Sequence, residues 1–351
     1  MGTDLDARIR NVVQSGTYVL GENVATFEEE VAQHLGVAHA VGVGSGTGAL
    51  HLALAGLGIG PGDEVITTPF TFAATVEAIE YVGAQPVLVD IDAHTCNIDC
   101  DLIEDEITPQ TRGIIPVHLF GLPVPMPRIM ELADRHGILV IEDCAQSFGA
   151  AIDARAAGSF GHAGAFSFYP TKTLGCLGDG GLISTNDPDL DRRLRVLRNH
   201  GIGDRGQHVV MGFNSRLDEL QAAVLRAKLI HIDSMNARRR QIAAHYTSVL
   251  SKVGAEMQKP YDGAHHVYGY YTILVEDRDA LRAQLGKAQI ATALYYAEPL
   301  HRHAHFAASC RYGRLDVAEQ VAARCMSLPI FPEMTDDEVD YVASTTAALL
   351  A

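Results

Sequence analysis

"AFSFYPTKTLGCLGDGGLIST" (165–185) holds two short apolar runs, each with the make-up of a buried strand, joined by a loop in which one lysine precedes four glycines. Only five of the chain's 27 basic residues are lysines (Lys172, Lys228, Lys252, Lys259 and Lys287), and none precedes position 172. A lone lysine among glycines, in a chain that otherwise prefers arginine, raises the question of what its amine is for, since an amine can lose its proton. A guanidinium does not deprotonate.

Outward from this stretch, short apolar runs alternate with amphipathic segments. "HAVGVG", "EVITT", "QPVLVDI", "GIIPVHL", "ILVIEDC", "GAFSFY" and "GLISTN" read as strands. Between them "TGALHLALAGLG", "FAATVEAIEYVG", "CDLIEDEI", "MPRIMELADRHG" and "DLDRRLRVLRNHG" read as helices. Strands this apolar imply an α/β fold, with a mostly parallel central sheet buried on both faces by helices. After Arg216 one long helical stretch, "RLDELQAAVLRAKLIHIDSMNARRRQIAAHYTSVL", leads to a different pattern. There "YGYYTILVED", a helix at "RDALRAQLGKAQ", "ATALYYAEPL" and a last helix near "TDDEVDYVASTTAALL" suggest a smaller α+β unit. At 351 residues two domains are expected, a large one over 1–235 and a small one over 236–351.

Composition narrows the function. Hydrophobic content of 47% and charged content of 20% describe an ordinary globular chain. A net charge of −16 argues against nucleic acid or an anionic membrane as partner, since phosphate binding needs clustered positive charge. It leaves open a small phosphorylated ligand held by backbone N–H groups. Six cysteines without a CxxC pair read as buried small hydrophobes of a reducing compartment. "MGTDLDARIRNVVQSG" reads as a polar amphipathic helix, and no apolar run is long enough to span a bilayer, so the expectation is a cytoplasmic protein.

Three pieces can carry chemistry. "GVGSGTGAL" (42–50) sets glycines and hydroxyls between a strand and a helix start, which makes either a tight turn or an anion site. Neither a GxGxxG fingerprint nor a P-loop is present, because Thr47 stands where the third glycine would be and GxxxxGK[ST] does not occur. "VIEDCAQSFGA" (140–150) puts two acids at the C-terminal end of a buried strand, where open parallel sheets bind ligands. An acid there needs a cation, from the protein or from a ligand such as a protonated ring nitrogen. Lys172 is the third piece: desolvation lowers the pKa of an amine and frees its lone pair, although pairing with a phosphate is the plainer role. A phosphate site, a strand-end acid and a desolvated lysine together are what pyridoxal 5′-phosphate (PLP) requires. "HRHAH" (301–305) has metal-like alternation but no second ligand cluster, so no metal is expected. "ARRR" (237–240) reads as a solvated helix face.

The order and wording of "GSGTGALHLAL", "TTPFTFAATVEAI", "GIIPVHLFG", "IEDCAQSFGA", "SFYPTKTLGCLGDGG", "FNSRLDELQAAVL" and "EPLH" resemble the DegT/StrS sugar-aminotransferase family of fold-type-I PLP enzymes over nearly the whole chain. The resemblance implies that Lys172 is the Schiff-base lysine, that Asp143 pairs with the pyridine nitrogen and that Gln146 contacts the ring hydroxyl. Phe72 would stack on the ring, and Gly46, Thr47 and Ser167 would hold the phosphate. Asn214 would reach the phosphate from a neighbouring subunit, so the active unit would be a homodimer with shared sites. His118, Tyr169, Arg216, Tyr296 and His301 would lie near the substrate. Thr173 departs from the asparagine that many relatives carry after the lysine.

The activity so implied is ping-pong amino transfer from glutamate, released as 2-oxoglutarate, to a keto sugar on a nucleoside diphosphate. The wording of "SGTYVLG" and "GCLGDGG" looks most like members that aminate a 3-keto sugar. A 4-keto sugar, a keto-cyclitol, a simpler ketone or amine, and a non-catalytic PLP-binding homologue are the alternatives.

Overall fold

The computed structural model describes residues 2–351. Two helices, α1 (Gly2–Ser15) and α2 (Glu22–Leu35), precede β1 (His39–Val43), α3 (Gly46–Gly56), β2 (Glu64–Thr67), α4 (Ala74–Tyr81) and β3 (Gln85–Leu88). Then follow β4 (Thr111–Ile114), α5 (Met126–His136), β5 (Leu139–Asp143) and a small hairpin of β6 (Ala151–Ile152) and β7 (Arg155–Ala156). β8 (Ala163–Ser167), β9 (Gly181–Thr185), α6 (Pro188–Leu197), α7 (Glu219–Leu229) and α8 (Ile232–Leu250) come next.

An eight-stranded sheet runs in the order β1, β9, β8, β5, β4, β2, β3, with Arg311–Tyr312 at its far edge. All of its strands are parallel except β9, which is antiparallel to both β8 and β1. The alternation of the strands explains the layers. Val41, Val65, Ile141, Ala163 and Ile183 point to a core closed by Leu52 and Leu54 of α3, Ile79 of α4 and Leu194 of α6. On the opposite face Ala40, Phe166 and Leu182 meet Phe27 and Val31 of α2 and Leu225 of α7, while Ile66, Ile114 and Val140 meet Ile129 of α5. Burial on both faces is what made these strands read as continuous apolar runs. A second, antiparallel sheet (Glu256–Met257, Tyr271–Leu274, Cys325–Leu328) packs with Ile242 and Tyr246 of α8, Leu285 and Val342.

Two predicted helices differ. "CDLIEDEI" forms turns and one 3-10 turn, Glu104–Glu106, instead of an α-helix. The Asp99 carboxylate takes the Asp101 N–H and its carbonyl the Leu102 N–H, a local turn that competes with helix initiation. The long stretch after Arg216 is two helices, because the backbone breaks at Ile230–His231, where Ile230 is 69% exposed and has no core to join. The parallel strand Arg311–Tyr312, which returns to pair with β3, was not anticipated.

Candidate active site

The C-terminal ends of β1, β2, β5 and β8 open into one cavity of about 660 Å³. Its walls hold nine of the expected residues: Gly46, Thr47, Phe72, Asp143, Gln146, Ser167, Tyr169, Lys172 and Tyr296. Residues scattered from 46 to 296 converge there because parallel strands present their ends on one edge of the sheet.

At the end of β1, Ser45 caps α3 by accepting the Gly48 N–H at 3.0 Å. The N–H groups of Gly46 and Thr47, in the first turn, have no intrahelical acceptor and lie at the positive helix end. A Cβ on Gly46 would stand 2.6 Å from the Ser167 Cβ, so only glycine lets the turn approach the end of β8 this closely. The result is a cradle for an anion, built from backbone and the Ser167 hydroxyl.

Asp143, the last residue of β5, is 4% exposed. Its Oδ1 accepts the Ala145 N–H at 3.1 Å and its Oδ2 the Thr75 hydroxyl at 2.8 Å. Burial pushes its pKa up, while the Ala145 N–H, the Thr75 hydroxyl and the charges of Lys172 and His118 pull the other way. Among the described residues no cationic nitrogen lies within 4.0 Å of this carboxylate. Across the cavity, burial holds the Lys172 amine below the ordinary lysine range, partly offset by Asp143. Its Nζ stands 6.0 Å from the centre of the Tyr270 ring. The Gln146 amide accepts the Phe120 N–H at 2.7 Å and donates to the Tyr296 hydroxyl at 3.1 Å. Phe72 (60% exposed) and Tyr169 (53%) flank the mouth, with Phe72 6.4 Å from the Tyr296 ring, centre to centre.

Four expected residues lie elsewhere. His118 is a correction: it is fully buried, its Nε2 pairs with Glu142 at 3.0 Å, and its Nδ1 accepts the Val124 N–H. With both ring nitrogens engaged it braces the chain behind Asp143 and is not free to meet a substrate. His301 is buried outside the cavity, with Nε2 on Glu319 at 2.9 Å. Asn214 is exposed, and Arg216, half-buried, donates to Asn199 Oδ1 at 2.8 Å. Neither lines the cavity of its own chain. Thr71, Thr75, Tyr270 and Tyr295 do line it and were missed. "TTPFTFAATVEAI" carried a signal for the first two, a hydroxyl pair spaced four apart at a helix start.

A family model for the DegT/DnrJ/EryC1/StrS aminotransferases matches residues 1–347. The chain belongs to that family. It is an aminotransferase, and the family is PLP-dependent. It is 48% identical over 338 residues to the UDP-N-acetyl-3-dehydro-alpha-D-glucosamine 3-aminotransferase of Acidithiobacillus ferrooxidans, covering 96% of this chain and 91% of the relative. To the dTDP-3-amino-3,4,6-trideoxy-alpha-D-glucose transaminase of Streptomyces venezuelae it is 45% identical over 335 residues, 94% of this chain and 88% of the relative. The crystal structure of S. venezuelae DesV in complex with a ketimine intermediate superposes with a TM-score of 0.97 at 43% identity, over 99% of this chain and 94% of the other. The cavity's donor set fits the family's cofactor. It offers a backbone anion cradle for a phosphate, a buried acid without a cation for a ring nitrogen, and a desolvated amine for a carbonyl. No helix among the described residues is long and apolar enough to cross a membrane.

Proposed function

We propose that this chain transfers the amino group of glutamate to carbon 3 of a 3-keto sugar carried on a nucleoside diphosphate, in ping-pong fashion, with PLP held at Lys172. The observation that carries the proposal is the meeting of Asp143, Lys172 and the start of α3 in one cavity. PLP bound there supplies an electrophilic carbonyl and a ring that takes up electrons from a substrate carbon. Gly46, Thr47 and Ser167 hold its phosphate. Asp143, as an anion, keeps the ring nitrogen protonated. Gln146 contacts the ring hydroxyl, and Phe72 covers one ring face. The Lys172 amine, which burial inclines to lose its proton, is the group that would hold the cofactor through its carbonyl carbon, with loss of water. When free of the cofactor, the Lys172 Nζ would be the base that accepts the proton from the donor's α-carbon. In the second half-reaction it works in reverse on the sugar. Such acid–base transfer is worth roughly 10²–10⁴ in rate.

Amination at carbon 3 is supported by the relatives, one acting on a 3-dehydro sugar of UDP and the other named for a dTDP-3-amino sugar. Tyr169 and Tyr296 are the substrate contacts within the cavity. Arg216 and Asn214 serve the site of a second copy, giving a homodimer with shared sites. In support, the segment just before them exposes Val209, Val210 and Met211, the last at 84%, and Leu177 is 60% exposed. No described carboxylate lies within 4.0 Å of the Arg216 guanidinium, which leaves its charge for a diphosphate. The test is optical. The visible band of the PLP-loaded protein should bleach with glutamate and return with a 3-keto sugar of UDP or dTDP. If small ketones restore it as well as any nucleotide sugar, the sugar assignment fails and the aminotransferase stands.

A further inference from the structure

A hydroxyl chain runs from Thr71 through Thr75 to Asp143, and nothing in the reaction described above uses it. All three residues are buried, at 3%, 0% and 4% exposure. Thr75 Oγ1 lies 2.8 Å from Asp143 Oδ2, and Thr71 Oγ1 lies 2.9 Å from Thr75 Oγ1. The two threonines belong to the loop after β2 and the first turn of α4, while Asp143 ends β5, so 68 residues separate the partners of the first bond.

Proton counting fixes how the chain works. A hydroxyl has one proton and two lone pairs. When Asp143 is ionised, Thr75 donates to it and Thr71 must donate to Thr75. When Asp143 is neutral, its own O–H donates to Thr75 and the chain reverses, with Thr75 donating to Thr71. The pair therefore satisfies Oδ2 in both protonation states, whereas a backbone N–H, such as that of Ala145 on Oδ1, can only donate.

We propose that Thr75, backed by Thr71, is the positioning residue that holds Asp143 ready, neutral or ionised, and supports its anion when a protonated ring nitrogen arrives. The inference rests on the reading that PLP binds at Lys172. Burial alone would push Asp143 toward the neutral form, which could not hold a ring proton. A charge-assisted bond from Thr75 opposes that.

The test is equilibrium binding to the cofactor-free full-length protein, with two probes: PLP, and its 1-deaza analogue, in which carbon replaces the ring nitrogen. Thr75→Val keeps the shape and removes the hydroxyl, so PLP should bind about 10- to 150-fold more weakly, the usual worth of a bond to a charged group. Thr75→Ser should recover most of that loss. For the deaza analogue, Thr75→Val and the unaltered protein should bind alike, because no ring proton faces Asp143. Thr71→Val, which leaves Asp143 its direct partner, should give a smaller loss in the same direction and serves if Thr75→Val does not fold. Undiminished PLP affinity in Thr75→Val, or equal losses for both probes, would overturn the proposal; the second outcome would mean that Thr75 only shapes the pocket. If the unaltered protein binds no PLP, the cofactor reading falls, and this inference with it.

Discussion

Replacing Asp143 by asparagine should make the cofactor-free protein more stable and the loaded protein worse. The substitution is nearly isosteric. The asparagine oxygen keeps the Ala145 N–H, and its amide can donate to Thr75, which then donates to Thr71. What changes is charge. Burial raises the Asp143 pKa above its unfolded value, so its contribution to stability is fully present below the ordinary carboxylate range, about pH 4, and is lost as pH rises through the folded value. Each unit of that rise costs the wild-type chain about 1.4 kcal/mol at higher pH. Melting of the two cofactor-free proteins should therefore coincide in acid and separate with rising pH, with Asp143→Asn melting higher. With PLP the order should reverse, because the asparagine loses a charge-assisted bond worth roughly 1.5–3 kcal/mol, or about 10- to 150-fold in affinity. Both half-reactions should slow. An Asp143→Asn protein that melts no higher than wild type at neutral pH without cofactor, and keeps its PLP, would refute the reasoning.

Lys172→Ala and Lys172→Arg should both fold and both lack turnover, and near-wild-type transamination by either would remove the lysine from the chemistry. Because burial lowers the Lys172 pKa, the rate of PLP capture by the wild-type protein should rise with pH and level off below pH ~10.4, where a solvated lysine would; steady-state progress at several pH values checks this. Arg216→Ala should raise the KM for the nucleotide sugar by about 10- to 150-fold with little change for glutamate, the loss of one charged contact. Mixing Asn214→Ala with Lys172→Ala should restore activity if sites are shared, since a mixed dimer keeps one intact site. No recovery despite proven subunit exchange would make each site private to its chain.

The parts of the site that were legible in the sequence lie at the ends of strongly apolar strands. Asp143 and Lys172 could be placed because "ILVIEDC" and "GAFSFY" announce β5 and β8, and the Gly46–Thr47 turn because it joins β1 to α3. Tyr270 was not legible as a site residue, and the Thr71–Thr75 spacing gave a hydroxyl pair at a helix start without revealing what it meets. The contacts of Thr75 and Tyr270 cross 68 residues to Asp143 and nearly 100 to Lys172, and periodicity reports only on a residue's own element. His118 misled for the opposite reason. It lies just past the end of β4, close to the reactive edge, but its side chain turns to Glu142 behind the sheet. The false helix at "CDLIEDEI" shows that apolar spacing loses to an aspartate able to cap its own turn.

The claim on which the rest depends is that Lys172 carries the cofactor, and it can be measured on the intact chain. Borohydride reduction of the PLP-loaded protein fixes the cofactor to whichever amine holds it, and digestion followed by mass spectrometry reads the position among five lysines. One modified peptide is expected, spanning Lys172, at close to one equivalent per chain. Cofactor found on Lys228, Lys252, Lys259 or Lys287 with Lys172 unmodified would contradict it.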